Sequence, residues 1–208
     1  MSQGEEAISV SWWQYFGSCC NTCYTRKAGV SSRPRQKKSS KDKRIVLLGK
    51  SRSGKSNALS ILAGNESTGG PHKYSATNGT TVSQVSVTDH SISVVEVGGG
   101  LSKFWSRAID SRVDGIWYLM TKEEFETDDF TVLRDFLDSA QETLNVGNLP
   151  VLITVVGIPS VEGAHGQGLN KVCQGVGLWN QAVVHACPEL SKSQLEGCLG
   201  VILDQLVK

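Results

Sequence analysis

Residues Ile45–Leu48 form a short apolar run, and the eight residues after it, Gly49–Ser56, read GKSRSGKS before an apolar-periodic stretch begins. That order predicts a buried strand, a glycine-bearing loop and a helix in immediate succession. Glycine leaves the loop backbone uncrowded, so several N–H groups converge on one point at the positive end of the following helix dipole. A phosphate-sized anion suits such a cradle. Gly49, Lys50, Ser51, Arg52, Ser53 and Gly54 are expected to wrap it, with Lys55, Ser56 and Asn57 in the first helical turn. Lys55 would reach the terminal phosphates as a point charge and the Ser56 hydroxyl would ligate Mg²⁺. The competing reading is a Gly/Ser/Lys loop that merely turns the chain.

Beyond this segment, apolar runs alternate with helical stretches, the pattern of an α/β domain built on a mainly parallel sheet. The runs are Ile45–Leu48, Val82–Val87, Ile92–Val97, Ile116–Met120, Val151–Val156 and Ala182–Ala186. They predict six strands, flanked by about five helices. Only Thr88, Asp89, His90 and Ser91 separate the second run from the third. That is too short for a crossover helix, so this pair should be an antiparallel hairpin and the other strands parallel. Helices are expected over Lys55–Ala63 and Asp128–Leu144. The last helix carries Leu195, Leu199, Ile202, Leu203 and Leu206 on one face, with Ser191 as N-cap and Gln194 as its capping-box partner.

The 208 residues suit one domain of residues 44–208 preceded by an arm, residues 1–43. The net charge of +1 conceals an asymmetry: residues 1–44 hold nine Lys or Arg against three acids, and residues 45–208 hold twelve against seventeen. Residues 26–44 are rich in Ser and Lys without apolar periodicity, the composition of a flexible linker. No apolar run approaches the roughly 20 residues of a membrane-spanning helix. Without a signal-peptide pattern, the six cysteines are expected to be reduced thiols of a cytoplasmic protein.

Within the arm, Trp12, Trp13, Tyr15 and Phe16 precede Cys19, Cys20 and Cys23, and the basic run follows. Interfacial aromatics, acylable thiols and cations worth about 1 kcal/mol each near an anionic leaflet make a two-signal peripheral anchor. The alternative is an arm with idle thiols, or one whose aromatics dock on the body. Zinc fits less well, since Cys20 and Cys23 have only Cys19 nearby as a third ligand. Any nucleic-acid contact through the basic run would be nonspecific.

Two further segments narrow the class. Ser75–Thr81 reads SATNGTT, and Val94–Gly100 reads VVEVGGG about twenty residues later. With GKSRSGKS, this order and spacing over nearly all of residues 44–208 resembles the Arf-like branch of the Ras superfamily of small GTPases, particularly divergent members whose acidic-x-Gly-Gly motif begins with Glu. The resemblance implies a small-GTPase-like P-loop fold that binds GTP or GDP with Mg²⁺ and acts on a protein effector. It further implies an exchange factor or activating protein and a role in membrane trafficking or cilia-related processes. Thr77 then matches the switch I threonine on Mg²⁺, Glu96 the acidic residue that acts on Mg²⁺ through a water, and Gly99 the glycine whose N–H meets the γ-phosphate. Thr77 also reads as part of an ordinary Thr-rich loop, and Trp105 as either a switch-following aromatic or a core Trp. Ala186 matches a base-loop alanine, although an Ala near a strand end also serves packing. The P-loop segment alone is similar to AIG1-type GTPases as well, but those end the third strand in D-T-P-G-L, unlike Glu96–Gly100.

Departures from the pattern carry equal weight. Gly100 stands where the family has a water-orienting Gln, so intrinsic hydrolysis should be slow or absent and no catalytic side chain is assigned. Val156-Gly157-Ile158-Pro159 stands where N-K-x-D reads the guanine edge. Both departures suit a pseudo-GTPase scaffold with weak or no nucleotide binding, and the intact P-loop suits a switch. A small ATP-dependent kinase would need an arginine-rich lid, yet after Arg52 only Arg107, Arg112 and Arg134 occur. For the arm, changing Cys19, Cys20 and Cys23 together to Ser is expected to move the protein from membrane to soluble fractions in cell fractionation; an unchanged distribution would rule out acylation as the anchor.

Overall fold

The computed structural model describes residues 42–65, 77–87, 90–109, 112–144, 149–175 and 182–206. All belong to one unit, Lys38–Lys208. The arm, with Cys19, Cys20 and Cys23, lies outside them.

Six strands appear in the expected order: β1 (Asp42–Leu48), β2 (Thr80–Val87), β3 (His90–Val97), β4 (Gly115–Thr121), β5 (Val151–Val156) and β6 (Ala182–Cys187). They form one sheet in the order β2-β3-β1-β4-β5-β6. Only β2 runs antiparallel, paired with β3, and every other neighbouring pair is parallel. The helices are α1 (Lys55–Leu62), α2 (Trp105–Ala108), α3 (Lys122–Glu126), α4 (Thr131–Leu144), α5 (Ala164–Gly175) and α6 (Lys192–Leu206), with a 3₁₀ segment at Gly99–Phe104.

Alternation along each strand divides the core in two. Ile45 and Leu47 of β1, with Trp117 and Leu119 of β4, face Ala58, Leu59 and Leu62 of α1 and Leu195, Leu199, Ile202 and Leu203 of α6. Val46 and Leu48, with Ile116, Tyr118 and Met120, face Trp105, Leu133, Phe136 and Leu137, and Leu169 and Val172 of α5. A strand buried on both faces needs an unbroken apolar run, which is why β1, β4 and β5 were legible as such.

Element boundaries shifted where pairing, not side-chain polarity, decides them. β1 starts at Asp42 rather than Ile45, because Asp42, Lys43 and Arg44 join the ladder opposite Ser91, Ile92 and Ser93. The linker therefore ends before residue 44, and the Arg44 N–H donates to the Asp114 carboxylate at 2.7 Å. β2 likewise begins at Thr80, and its Val82 stays 60% exposed on the edge strand. The expected helix over Asp128–Leu144 starts only at Thr131, since Asp128 adopts φ 52, a left-handed conformation no helix interior accepts. Ser191 does immediately precede α6, and its carbonyl accepts from Leu195 N–H at 3.0 Å. Its hydroxyl lies 3.4 Å from Ser193 Oγ. Helix α5 has no strong sequence signal: AHGQGLNKVCQG carries three glycines, and packing of Leu169, Val172 and Cys173 overrides poor propensity.

Leu199 is fully buried where α6 meets the sheet. Leu199→Ala is expected to cost about 2–5 kcal/mol in urea unfolding, whereas Val82→Thr on the exposed edge should cost under about 0.5 kcal/mol.

Candidate functional site

The strand order reverses at β1, whose neighbours β3 and β4 lead away to opposite edges, and the loop leaving β1 opens at this crevice. Gly49–Gly54 make that loop. Arg52 takes φ 67, and Gly54 takes φ 91 as the residue immediately before α1, a turn that glycine permits at little cost. Ser53 N–H closes the loop on the Lys50 carbonyl at 3.2 Å, and Ala58 N–H starts the helical ladder on the Gly54 carbonyl at 2.8 Å. The first-turn N–H groups of Lys55, Ser56 and Asn57, as at any helix start, have no partner within the helix and point out of its positive end.

Lys55 is only 5% exposed. Its Nζ donates to the carbonyls of Gly49 and Lys50, each at 2.8 Å, and to Ser53 Oγ at 3.3 Å. Burial pushes its ammonium below lysine's ordinary range, while the Glu96 and Glu124 carboxylates pull the other way. A desolvated cation held beneath a cradle of N–H groups has the make-up of an anion site.

Beside it lie three of the residues singled out in the sequence. Ser56 Oγ donates to Glu96 Oε1 at 2.6 Å, Thr77 Oγ1 donates to the same oxygen at 3.1 Å, and the two hydroxyls are 3.2 Å apart. Thr77 is thus docked on the site rather than lost in a solvent loop. Hard oxygen donors from two hydroxyls and a carboxylate fit Mg²⁺.

The glycine segment packs onto both partners. Gly98 N–H donates to the Gly79 carbonyl at 3.0 Å, and a Cβ on Gly98 would overlap the Thr77 carbonyl oxygen. A Cβ on Gly99 would overlap the Ser51 amide nitrogen, so residues 98 and 99 must be glycine for this closure against the loop. Gly100 is exposed and begins to turn into the 3₁₀ segment.

Four residues on separate elements tie these pieces together: Trp105, expected as a switch-following aromatic or a core Trp; Lys50, expected to wrap the anion; and Tyr118 and Glu124, to which sequence reasoning assigned no role in the site. Trp105 is fully buried, and its indole N–H donates to the Gly98 carbonyl at 3.2 Å. Its ring meets Tyr118 edge-on at 6.0 Å between centroids. Tyr118 OH donates to Glu124 Oε1 at 2.7 Å, and that oxygen lies 3.7 Å from the Lys50 ammonium. Lys50 also pairs with Asp129, whose carboxyl it holds below the usual range through that hydrogen bond. The Lys50 side chain therefore leaves the phosphate cradle, and only its backbone remains there. Thr121-x-x-Glu124 has the form of a capping box, and Thr121 Oγ1 does accept from Glu124 N–H at 3.1 Å. The helix start was legible in it; the turn of the carboxylate toward Tyr118 was not.

The opposite end of the site is apolar. Gly157 N–H donates to the Cys187 carbonyl at 2.8 Å, Ile158 is buried, and Pro159 and Pro188 are exposed. Lys122 Cβ lies beside Gly157, and Leu190 reaches over Gly54. Ala186 sits within β6 opposite Val155, partly buried against the core.

No family model and no curated protein matches this sequence. Among solved structures, the small GTPase Arl6 (BBS3) of Trypanosoma brucei, solved with the nucleotide analogue GppNp, matches with a TM-score of 0.60 at 14% identity, over 80% of this chain and 98% of that one. The chain therefore has the small-GTPase fold, with the expected mostly parallel six-stranded sheet. The likeness to AIG1-type GTPases draws no support from these comparisons.

Burial holds the Glu124 carboxyl above its ordinary range, against the opposing pull of Tyr118 and Lys50. A carboxyl raised on folding binds protons more readily in the folded state, so its contribution is complete below the unfolded value and is lost as pH rises through the folded one. Wild type is accordingly expected to lose melting temperature relative to Glu124→Gln between pH 4.5 and pH 7, the ordinary carboxylate value being about 4.3. Parallel melting curves would refute the burial argument.

Proposed function

We propose that this chain is a nucleotide-dependent switch that binds GTP or GDP with Mg²⁺ and signals through the arrangement of residues 77–81 and 98–104. The observation that carries the reading is the Lys55 ammonium, buried on the carbonyls of Gly49 and Lys50 at the start of α1. In this reading the amides of Gly49–Asn57 take the phosphates and Gly99 N–H senses the terminal one. Ser56, Thr77 and Glu96 would hold Mg²⁺, which when bound neutralises phosphate charge. A protein effector is supported by the two most exposed large apolar side chains among the described residues, Val82 at 60% and Phe104 at 47%, which flank the two switch segments. The GTP analogue on the structural neighbour supports a nucleotide of this kind. Exchange and activating proteins, and a role in trafficking or ciliary processes at membranes, follow from the Arf-like resemblance. The arm's thiols and basic run support peripheral attachment from the cytoplasm.

Hydrolysis without a partner is expected at background, since Gly100 offers no side chain to orient water. A second reading, a pseudo-GTPase scaffold, is favoured by the same glycine and by the absence of a carboxylate from Val156–Pro159, where Ala186 would be the remaining backbone contact to a base.

Titration of fluorescent GTP and ATP analogues with Mg²⁺ separates the readings. The switch predicts micromolar or tighter GTP binding, weakened at least about a hundredfold, roughly 2.7 kcal/mol, in Lys55→Ala. No binding of either nucleotide leaves the scaffold, and a readily measured intrinsic GTPase rate would show that Gly100 does not limit hydrolysis.

A further inference from the structure

We infer that Glu96 is a direct ligand of the divalent cation, completing with Ser56 and Thr77 a three-oxygen site supplied wholly by the protein. The remaining coordination positions rest on the nucleotide reading above; the three protein ligands do not.

The triangle of oxygens is the primary observation. Ser56 Oγ, Thr77 Oγ1 and Glu96 Oε1 are separated by 2.6, 3.1 and 3.2 Å. Octahedral Mg²⁺ holds its oxygens at about 2.0–2.1 Å, which puts neighbouring ligands roughly 2.9–3.0 Å apart. The separations of 3.1 and 3.2 Å come close to those of one octahedral face, and the 2.6 Å hydrogen bond between Ser56 and Glu96 would lengthen by about 0.3–0.4 Å to complete it. Ca²⁺, at about 2.3–2.6 Å, would need roughly 3.3–3.7 Å between neighbours in the same geometry, so the face suits Mg²⁺ or Mn²⁺.

Reach explains why the carboxylate arrives directly. Glu96 leaves the sheet between Leu47 of β1 and Thr81 of β2, paired on both sides. From that fixed backbone its side chain meets the Ser56 hydroxyl without an intermediary. An aspartate there would stop short by one methylene, about 1.5 Å, leaving its oxygen to act through a water. Thr77 is fixed independently, since the Gly98 N–H bond to Gly79 and the close approach of Gly98 to the Thr77 carbonyl hold that segment against the end of β3. Glu96 is 4% exposed, so little bulk water competes for its oxygen. One carboxylate and two neutral hydroxyls supply a single negative charge, and phosphate oxygens would complete a tight site.

The test uses the full chain with Mn²⁺ and a non-hydrolysable GTP analogue, counting metal-bound waters from the broadening of the Mn²⁺ EPR signal in ¹⁷O-water. Wild type is expected to hold one water fewer than Glu96→Asp. Should that variant fail to fold by circular dichroism, Glu96→Ala gives the same comparison, because deleting the carboxylate leaves its position to water. Equal water counts would overturn the inference and leave the nucleotide reading intact. Glu96→Gln, of the same length without the charge, is expected to weaken Mn²⁺ binding at least about tenfold. If the analogue does not bind at all, the nucleotide reading fails by itself, and Mn²⁺ alone decides the cation site: binding lost in Glu96→Gln supports it, and no binding to wild type overturns it.

Discussion

A lysine ammonium buried beneath a loop of backbone carbonyls sets the terms for the rest of this fold. Lys55 gives up water at considerable electrostatic cost, and two carbonyl hydrogen bonds with the nearby charges of Glu96 and Glu124 offset it. The loop must curl so that Gly49 and Lys50 aim their carbonyls inward, which turns amides outward. The sheet must reverse its strand order at β1 so that the curl opens into a crevice rather than a packed face.

The glycine segment is tied to the loop after β1 by a second, mostly buried circuit. Gly98 is held by Trp105, Trp105 packs on Tyr118, Tyr118 bonds Glu124, and Glu124 faces Lys50 of the loop. The path runs from the glycine segment through one core and back to the loop after β1. Each link is short and polar, or aromatic and fully packed, so the loop and the glycine segment share one set of contacts. Lys50 serves here as a strut between the loop and the segment before α4.

The two ends of the site differ in kind. At the phosphate end every element presents a charge or a directed hydrogen bond. At the other end, Gly157, Pro159 and Pro188 are exposed, Ile158 is buried, and no carboxylate occurs in Val156–Pro159. Specificity that depends on hydrogen-bonding a base edge needs a group left unpaired by the wrong base. Under the proposed nucleotide reading, binding energy would therefore be concentrated on phosphates and cation, which is why the reach of Glu96 carries weight.

Much of this was legible from residue order. GKSRSGKS between an apolar run and a helix dictated the cradle, because glycine spacing and helix polarity are local properties of the chain. Strands β1, β4 and β5 were visible because strands buried on two faces must be apolar throughout, and the hairpin because its connection was too short for anything else. Helix α5 and the early start of β1 were not, since packing and ladder pairing overrode local propensity there. The partners of Trp105, Tyr118, Glu124 and Lys50 were equally hidden, because they lie on separate elements. By itself, then, the sequence determined that a glycine-bearing strand-loop-helix unit sits on a mostly parallel sheet, and named Ser56, Thr77 and Glu96 as residues of interest. Only the tertiary structure decided that these three oxygens stand within 3.2 Å of one another, for that distance depends on how β3, α1 and the segment before β2 pack, which no local pattern encodes.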